Sequence, residues 1–218
     1  PPQMYSHDVV PFTFLRDPVE RLVSEYVFLK TWKKSHMYKV INDNRLSFAD
    51  YVTSDLKHVA MKGKNFMTRV IAGESVDWEE LSQKALAKAK HNLEHVFGFF
   101  GIQEMFDESL VLLAKHLGLR DCYYEKRNVL NRGVLPQVDE AGRELAARYN
   151  EADIELYAFA AGLFRERLER GGPDLQREIA LFRKINAKFQ NVCRLINERA
   201  TPQGDQSQGD PAILLPKG

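Results

Sequence analysis

The chain has 218 residues, of which 44% are hydrophobic and 28% are charged, which is typical of one globular domain with a sizeable core. The 31 Lys and Arg residues balance the 30 Asp and Glu residues and leave a formal net charge of +1, which argues against a general nucleic-acid binder or a polybasic membrane-surface protein. Two cysteines, Cys122 and Cys193, are too few for a disulfide framework and favour a reducing compartment.

The sequence carries no recognisable targeting segment. No apolar run approaches the ~20 residues that a membrane span needs, no signal-peptide pattern opens the chain, and no Asn-x-Ser/Thr sequon occurs. These features predict a cytoplasmic protein. Because the chain opens at Pro1 without a methionine, we expect that it is an excerpt with further sequence upstream.

The best-defined unit is a strand, a tight turn and a helix near the start of the chain. Residues 9–15 are apolar and β-rich, as in a buried parallel strand. Asp17 as N-cap, Pro18 at the first helical position and Glu20 at the third form the pattern of a capping box. Apolar residues then recur at helical spacing through Val27, which predicts an amphipathic helix.

The rest of the chain is predicted to be mostly helical. The further elements are, in chain order, a loop over 33–46, a short helix after Ser47, a helix from Asp77 to Leu93, a buried strand over 96–100, a helix over 106–117, a loop over 119–137, helices over 139–149, 151–170 and 174–200, and a disordered tail over 201–218. Strands alternating with helices indicate an α/β fold.

Arg16 and Ser24 are the candidate anion-binding residues. Arg16 stands at the carboxyl end of a predicted strand, where α/β sheets bind ligands, and the helix N-terminus beside it favours anions. Ser24 shares a helix face with Asp17 and Arg21 and can therefore lie on the side of Arg16. A guanidinium and a hydroxyl suit a phosphate. On the pattern alone, an Arg16–Asp17 ion pair that merely fixes the turn is the competing interpretation.

The segment 12–26, FTFLRDPVERLVSEY, closely resembles the 3′-phosphate-binding segment of sulfotransferases. The similarity is greatest to the Golgi-type and bacterial carbohydrate sulfotransferases related to heparan sulfate 2-O-sulfotransferase. Collinear similarities follow, so that order and spacing hold over roughly residues 9–170; they lie at 85–93, 98–102, 106–110, 126–129 and 150–157. The resemblance implies a P-loop-like α/β fold with a sulfotransferase domain over 1–172, a C-terminal helix over 173–200 and a tail over 201–218.

The resemblance also implies an activity and a cofactor. Members of this family bind 3′-phosphoadenosine 5′-phosphosulfate and transfer its sulfuryl group to an acceptor hydroxyl without a metal, and the acceptor expected here is a carbohydrate or a similar molecule. Arg16 and Ser24 then correspond to the residues that hold the 3′-phosphate. Arg127, Asn128 and Arg132 correspond to the basic loop that closes over the nucleotide, for which a solvated charged loop is the alternative.

The chain departs from the family pattern at two points. It has no glycine-rich GxxxxGK[ST] loop for the 5′-phosphosulfate, and the catalytic residue cannot be assigned. The relatives use a His well upstream of the Arg-Asp-Pro turn as the base, whereas His7 lies only nine residues before Arg16. We therefore expect both elements upstream of Pro1.

Several alternatives stay open. The chain can be a non-catalytic module that binds a 3′-phosphoadenosine nucleotide or a sulfated ligand, or a helical interaction protein. The apolar series in 174–200 suits either a homo-oligomer seam or packing on its own domain, and Tyr123 and Tyr124 either stack on adenine or pack in the protein. The expected location is the bacterial cytoplasm, with a Golgi membrane-anchored enzyme as the alternative if an anchor lies upstream.

Overall fold

The described part of the protein is mainly helical and contains a small parallel sheet. The computed structural model describes residues 10–55, 59, 63–74, 81–126 and 138–200. Its elements are β1 (Phe12–Leu15), α1 (Pro18–Thr31), α2 (His36–Asp43), α3 (Phe48–Thr53), α4 (Phe66–Ala72), α5 (Ala85–His95), β2 (Phe99–Ile102), a 3₁₀ turn (Gln103–Met105), α6 (Phe106–Leu117), α7 (Glu140–Tyr149), α8 (Glu151–Arg170) and α9 (Gly172–Ala200). The α/β expectation is confirmed in this coarse form.

The two strands pair in parallel and end at the same edge of the sheet. Phe12 lies opposite Phe99 and Leu15 lies opposite Ile102. Both strands begin later than predicted. Pro11 lies before the ladder, where its missing N–H costs nothing, and its carbonyl accepts the N–H of Gly98 at 3.0 Å. The carboxyl ends of the strands bring residues 16–17 and 103–104 side by side.

Helix α1 begins as predicted, but its capping box is only half formed. The Asp17 carboxylate accepts the Glu20 N–H at 2.9 Å, and Pro18 occupies the first helical position. The Glu20 side chain does not return to the Asp17 N–H; it pairs with Arg143 of α7 at 2.5 Å, and the Asp17 N–H binds Glu104 instead. Tertiary partners have therefore replaced the second half of the local motif.

The loop predicted over 33–46 is wrong, because much of it forms α2. The Ser35 hydroxyl caps the helix by accepting the Met37 N–H at 3.1 Å. Met37 and Ile41, four residues apart, are 5% and 0% exposed and pack with α1 and α3. Two buried apolar residues at this spacing are enough to fix a short helix whose other positions are polar.

Helices α8 and α9 lie near their predicted positions, and Gly171 and Gly172 only redirect the chain between them. The first half of α9 packs on α6, where Leu175 and Ile179 are buried with Val111. The second half presents exposed apolar residues such as Val192, at 53% exposure. No helix in the described ranges combines the length and the apolar character that crossing a bilayer requires. Residues 201–218 lie outside the described residues.

Candidate functional site

Arg16 lies at the carboxyl end of β1, directly after the buried Leu15. Its side chain is half-buried, and among the described residues its guanidinium has no hydrogen-bond or ion-pair partner. The competing Arg16–Asp17 ion pair does not form there, since the Asp17 carboxylate caps α1 instead. Arg16 therefore offers a complete set of side-chain donors at the edge of the sheet where ligands of α/β proteins bind.

The N-terminus of α1 contributes fewer donors than the sequence suggested. The Asp17 N–H binds Glu104 Oε1 at 3.0 Å, and the Glu20 N–H binds Asp17 Oδ1 at 2.9 Å. Pro18 has no N–H to offer. An anion at this turn would consequently depend on side chains more than on oriented backbone groups.

Ser24 and Arg21 lie on α1, but the structure gives them different surroundings. Ser24 is half-buried, and its hydroxyl makes no hydrogen bond within the described part of the chain. The guanidinium of Arg21 donates to Glu25 at 3.1 Å and lies 5.4 Å from the centre of the Phe66 ring. Of the two arginines in the turn and helix, Arg16 is the one available to a ligand.

A cluster of buried polar residues joins α4 to α8. Asp153, which is 0% exposed, accepts the N–H groups of Met67 at 3.1 Å and Thr68 at 2.7 Å. It thereby caps α4, whose own N-cap residue, Asn65, has a left-handed φ of 49° and makes no side-chain cap bond. Burial raises the pKa of Asp153, although the backbone donors and the charge of Arg21 oppose this shift.

Asn150 completes this cluster. Its amide oxygen accepts the Asn65 N–H at 2.8 Å, and its amide nitrogen donates to the carbonyls of Gly63 and Ala146 at 2.8 and 2.9 Å. The Asn65 side chain in turn accepts the Asp153 N–H at 3.1 Å. Segment 150–157, one of the collinear similarities to the family, therefore contains scaffold residues whose role was not predicted from sequence.

Glu104 connects the two strand ends to α8. One carboxylate oxygen accepts the Asp17 N–H at 3.0 Å, and the other accepts the hydroxyl of Tyr157 at 2.8 Å. Burial and the neighbouring Glu104 carboxylate raise the pKa of Tyr157 above its ordinary value. The role of Glu104 was not predictable from sequence, since nothing local marks a glutamate after a strand as a partner of a residue 87 positions earlier.

Tyr123 and Tyr124 pack within the protein. The Tyr123 ring stacks on Phe182 and also contacts Phe189, each with centroids 6.0 Å apart. Tyr124 donates its hydroxyl to Asp107 at 2.8 Å and packs edge-on against Phe106. The structure thus favours packing over adenine stacking for both tyrosines.

Other predicted site residues lie outside the described residues. These are Arg127, Asn128 and Arg132 of the basic loop and His7. Their roles stay predictions. Within the described ranges, no group of three or more His, Cys, Asp or Glu side chains could hold a metal ion.

Comparison with known proteins identifies the class of protein that carries this site. The sequence resembles carbohydrate sulfotransferases along most of its length, and residues 3–208 match the family model described as galactose-3-O-sulfotransferase. The chain belongs to the galactose-3-O-sulfotransferase family. The expected membership in a sulfotransferase family is thereby confirmed.

The curated relatives act on different carbohydrates, according to their names. A galactosylceramide sulfotransferase from Bos taurus is 26% identical over 193 residues, which cover 83% of this chain and 44% of that protein. A galactose-3-O-sulfotransferase 3 from Mus musculus is 30% identical over 141 residues, covering 63% of this chain and 33% of that protein. A heparan-sulfate 6-O-sulfotransferase 3 from Homo sapiens is 26% identical over 195 residues, which cover 76% of this chain and 40% of that protein. The chain spans less than half the length of each of these relatives.

The prediction of a bacterial, cytoplasmic protein is wrong. The relatives named above are carbohydrate sulfotransferases from mammals, and the Golgi alternative agrees better with them than a bacterial cytoplasm does. Composition could not separate these locations, because two free cysteines and a missing sequon are compatible with either. The narrower relation to heparan sulfate 2-O-sulfotransferase stays a prediction.

Proposed function

We propose that this protein binds 3′-phosphoadenosine 5′-phosphosulfate through Arg16 and Ser24 and supports transfer of its sulfuryl group to a hydroxyl of a galactose-containing carbohydrate. The observation that carries the proposal is the guanidinium of Arg16 at the carboxyl end of β1, which has no hydrogen-bond or ion-pair partner among the described residues. The family match and the names of the relatives support both the reaction and the sugar. The relation to heparan sulfate 2-O-sulfotransferase rests on segment 12–26, and the galactose relatives favour a galactose acceptor.

The chemistry of Arg16 and Ser24 supports binding of a 3′-phosphate. Arg16 can offer a bidentate, charge-assisted fork, and Ser24 adds a short hydroxyl donor from α1. The two nearby carboxylates are already engaged, since Asp17 caps the helix and Glu104 accepts two hydrogen bonds. Arg127, Asn128 and Arg132 are proposed as further nucleotide contacts on the family resemblance.

A P-loop-like fold is part of the proposal. The parallel pairing of β1 with β2 supports it, as does the turn that follows the carboxyl end of β1. Within the described residues, β1 pairs with β2 alone. The other edge of β1 can accept a further parallel strand, which is where a glycine-rich loop for the 5′-phosphosulfate would join the sheet.

The mechanism assigns binding and positioning to the described residues. When bound, the nucleotide supplies an activated sulfuryl group. Arg16 and Ser24 bind it at the 3′-phosphate, away from the reacting sulfur, so that they orient the donor without touching the bond that breaks. Replacing Arg16 should therefore raise the KM for the nucleotide more than it lowers kcat. The base that takes the proton of the acceptor hydroxyl is proposed to be an upstream histidine, on the family resemblance.

The first test compares two nucleotides by calorimetry. We expect the protein to bind adenosine 3′,5′-bisphosphate about tenfold or more tightly than adenosine 5′-monophosphate, because a hydrogen bond to a charged group contributes ~1.5–3 kcal/mol. Arg16→Ala should abolish this preference. Arg148→Ala, which removes an exposed arginine of α7, is the matched control and should retain it.

Two outcomes would contradict the proposal. Equal affinity of the wild-type protein for the two nucleotides would mean that it has no site for the 3′-phosphate. If the Arg16→Ala variant still prefers adenosine 3′,5′-bisphosphate, the 3′-phosphate must bind to other residues. Preferential binding without any sulfuryl transfer to galactosides would instead contradict the proposed transfer and favour the non-catalytic module.

A further inference from the structure

Glu104 occupies an unexpected place for a carboxylate. It lies in the 3₁₀ turn after β2 and accepts the Asp17 N–H at 3.0 Å, next to the residue proposed to bind a phosphate. A negative charge there repels an anionic ligand and, by itself, lowers affinity. The geometry around Glu104 indicates a role that offsets this cost.

The bond to the Asp17 N–H acts directly on the orientation of Arg16. That N–H belongs to the planar peptide unit that links Arg16 to Asp17, so holding it fixes the plane on the carboxyl side of the Arg16 Cα. The plane on the amino side is held by Leu15, the last residue of β1, which is paired with Ile102. With both planes held, the direction in which the Arg16 side chain leaves the backbone is restricted.

Glu104 is itself held from the protein core. An exposed glutamate has three rotatable bonds and little reason to keep one conformation. Here its second oxygen accepts the Tyr157 hydroxyl at 2.8 Å. Tyr157 belongs to α8 and packs against the main hydrophobic cluster beneath the sheet. The Glu104 carboxylate thus connects the turn after β1 to α8 through two hydrogen bonds.

We propose that Glu104 is a positioning residue of the 3′-phosphate site and that Tyr157 fixes it. The proposal rests on the function proposed above. It assigns Glu104 no contact with the ligand. Its effect on affinity comes from the preformed orientation of Arg16, which removes an ordering cost that binding would otherwise include.

Three variants separate positioning from charge. Glu104→Gln keeps an oxygen for the Asp17 N–H and can donate its amide N–H to the Tyr157 oxygen, so it retains the geometry and removes the repulsion. Glu104→Ala removes the charge and the geometry together. Tyr157→Phe keeps the charge and releases the side chain. Glu155→Ala, which removes an exposed glutamate of α8 that pairs with Lys90 at 2.7 Å, is the matched control.

The measured quantity is the ratio of affinities for adenosine 3′,5′-bisphosphate and adenosine 5′-monophosphate, with the thermal midpoint recorded for each variant. We expect Glu104→Gln and Glu155→Ala to keep or exceed the wild-type ratio. Glu104→Ala and Tyr157→Phe should lower it about fivefold to tenfold, as expected for the loss of one hydrogen bond of ~1 kcal/mol or more. This pattern supports positioning.

Other combinations of affinity ratios and thermal midpoints would contradict the positioning role of Glu104, each in a different way. If Glu104→Ala raises the ratio as Glu104→Gln does, Glu104 acts through its charge alone. If Glu104→Ala and Tyr157→Phe lower the thermal midpoint but leave the ratio unchanged, the bond serves stability only. A wild-type protein with no preference overturns the proposed function and this inference with it, whereas a preference that Glu104→Ala leaves undiminished overturns this inference alone.

Discussion

Asp153 caps a helix that is distant in sequence, and replacing it by alanine gives a large and calculable effect. The change leaves the N–H groups of Met67 and Thr68 buried without an acceptor, at ~1–3 kcal/mol each. It also relieves the burial of a charge, which offsets part of that cost. We expect a net loss of about 2–4 kcal/mol in the free energy of unfolding, a substantial part of the ~5–15 kcal/mol typical of a domain.

Urea unfolding followed by circular dichroism measures this loss. The matched control is Asp139→Ala, because Asp139 is itself exposed and caps its own helix, α7, by accepting the Gly142 N–H at 2.9 Å in a half-buried bond. That cap should contribute ~0.5–2 kcal/mol. An Asp153→Ala variant that loses no more stability than Asp139→Ala would refute the reasoning, since the burial of the donors would then carry no weight.

The pH dependence of Asp153 has a definite sign. Burial raises the pKa of Asp153 in the folded state above the unfolded value of about 3.9, so the folded state holds this proton more tightly. The contribution of the group to stability is therefore greatest below about pH 3.9 and falls as the pH rises through the folded-state pKa. Asn at position 153 does not titrate. The free energy of unfolding of the wild type, relative to that of Asp153→Asn, should therefore fall as the pH rises through that window.

Two further changes test the packing around the site. Gly101→Ala would put a Cβ 2.6 Å from Phe14 Cε1 and 2.9 Å from Ser109 Cβ, so we expect a loss of ~1–3 kcal/mol from overpacking, and an unchanged urea midpoint would contradict this. Asn186→Ala removes the acceptor of the Tyr124 N–H, 2.9 Å away, and should speed hydrogen exchange at that amide, whereas Asn191→Ala, on the exposed side of α9, should leave the exchange rate unchanged.

The parts of the fold that were predictable from sequence are those governed by neighbours along the chain. Asp17 followed by Pro18 begins α1, and Ser47 with Asp50 forms a complete capping box at α3. These motifs join groups three residues apart, so the local sequence contains all of their partners. Helices α7 and α8 were likewise predictable, because their apolar spacing extends over several turns.

The parts that were not predictable depend on partners far apart in the chain. Asn65 begins α4 without a side-chain cap of its own, and the acceptor comes from Asp153. Glu104 takes the Asp17 N–H that a complete capping box would have used. In both cases a group distant in sequence outcompetes the local candidate, and helical periodicity carries no information about such competition.

The two arginines of the RDPVERLVS segment show the same limit within a single motif. Helical spacing placed Arg21 on the face shared by Asp17 and Ser24, although only Arg16 and Ser24 were predicted to bind an anion. Arg21 lies inside the helical segment, however, where α1 meets α4, and its charge is taken up by Glu25 and the Phe66 ring. Arg16 precedes the helix at the end of β1, and its guanidinium has no partner in the described part of the chain. Under the proposed function, one motif therefore supplies both a ligand-binding arginine and a scaffold arginine. The two differ in position, because Arg16 directly follows the end of β1 and Arg21 lies within α1.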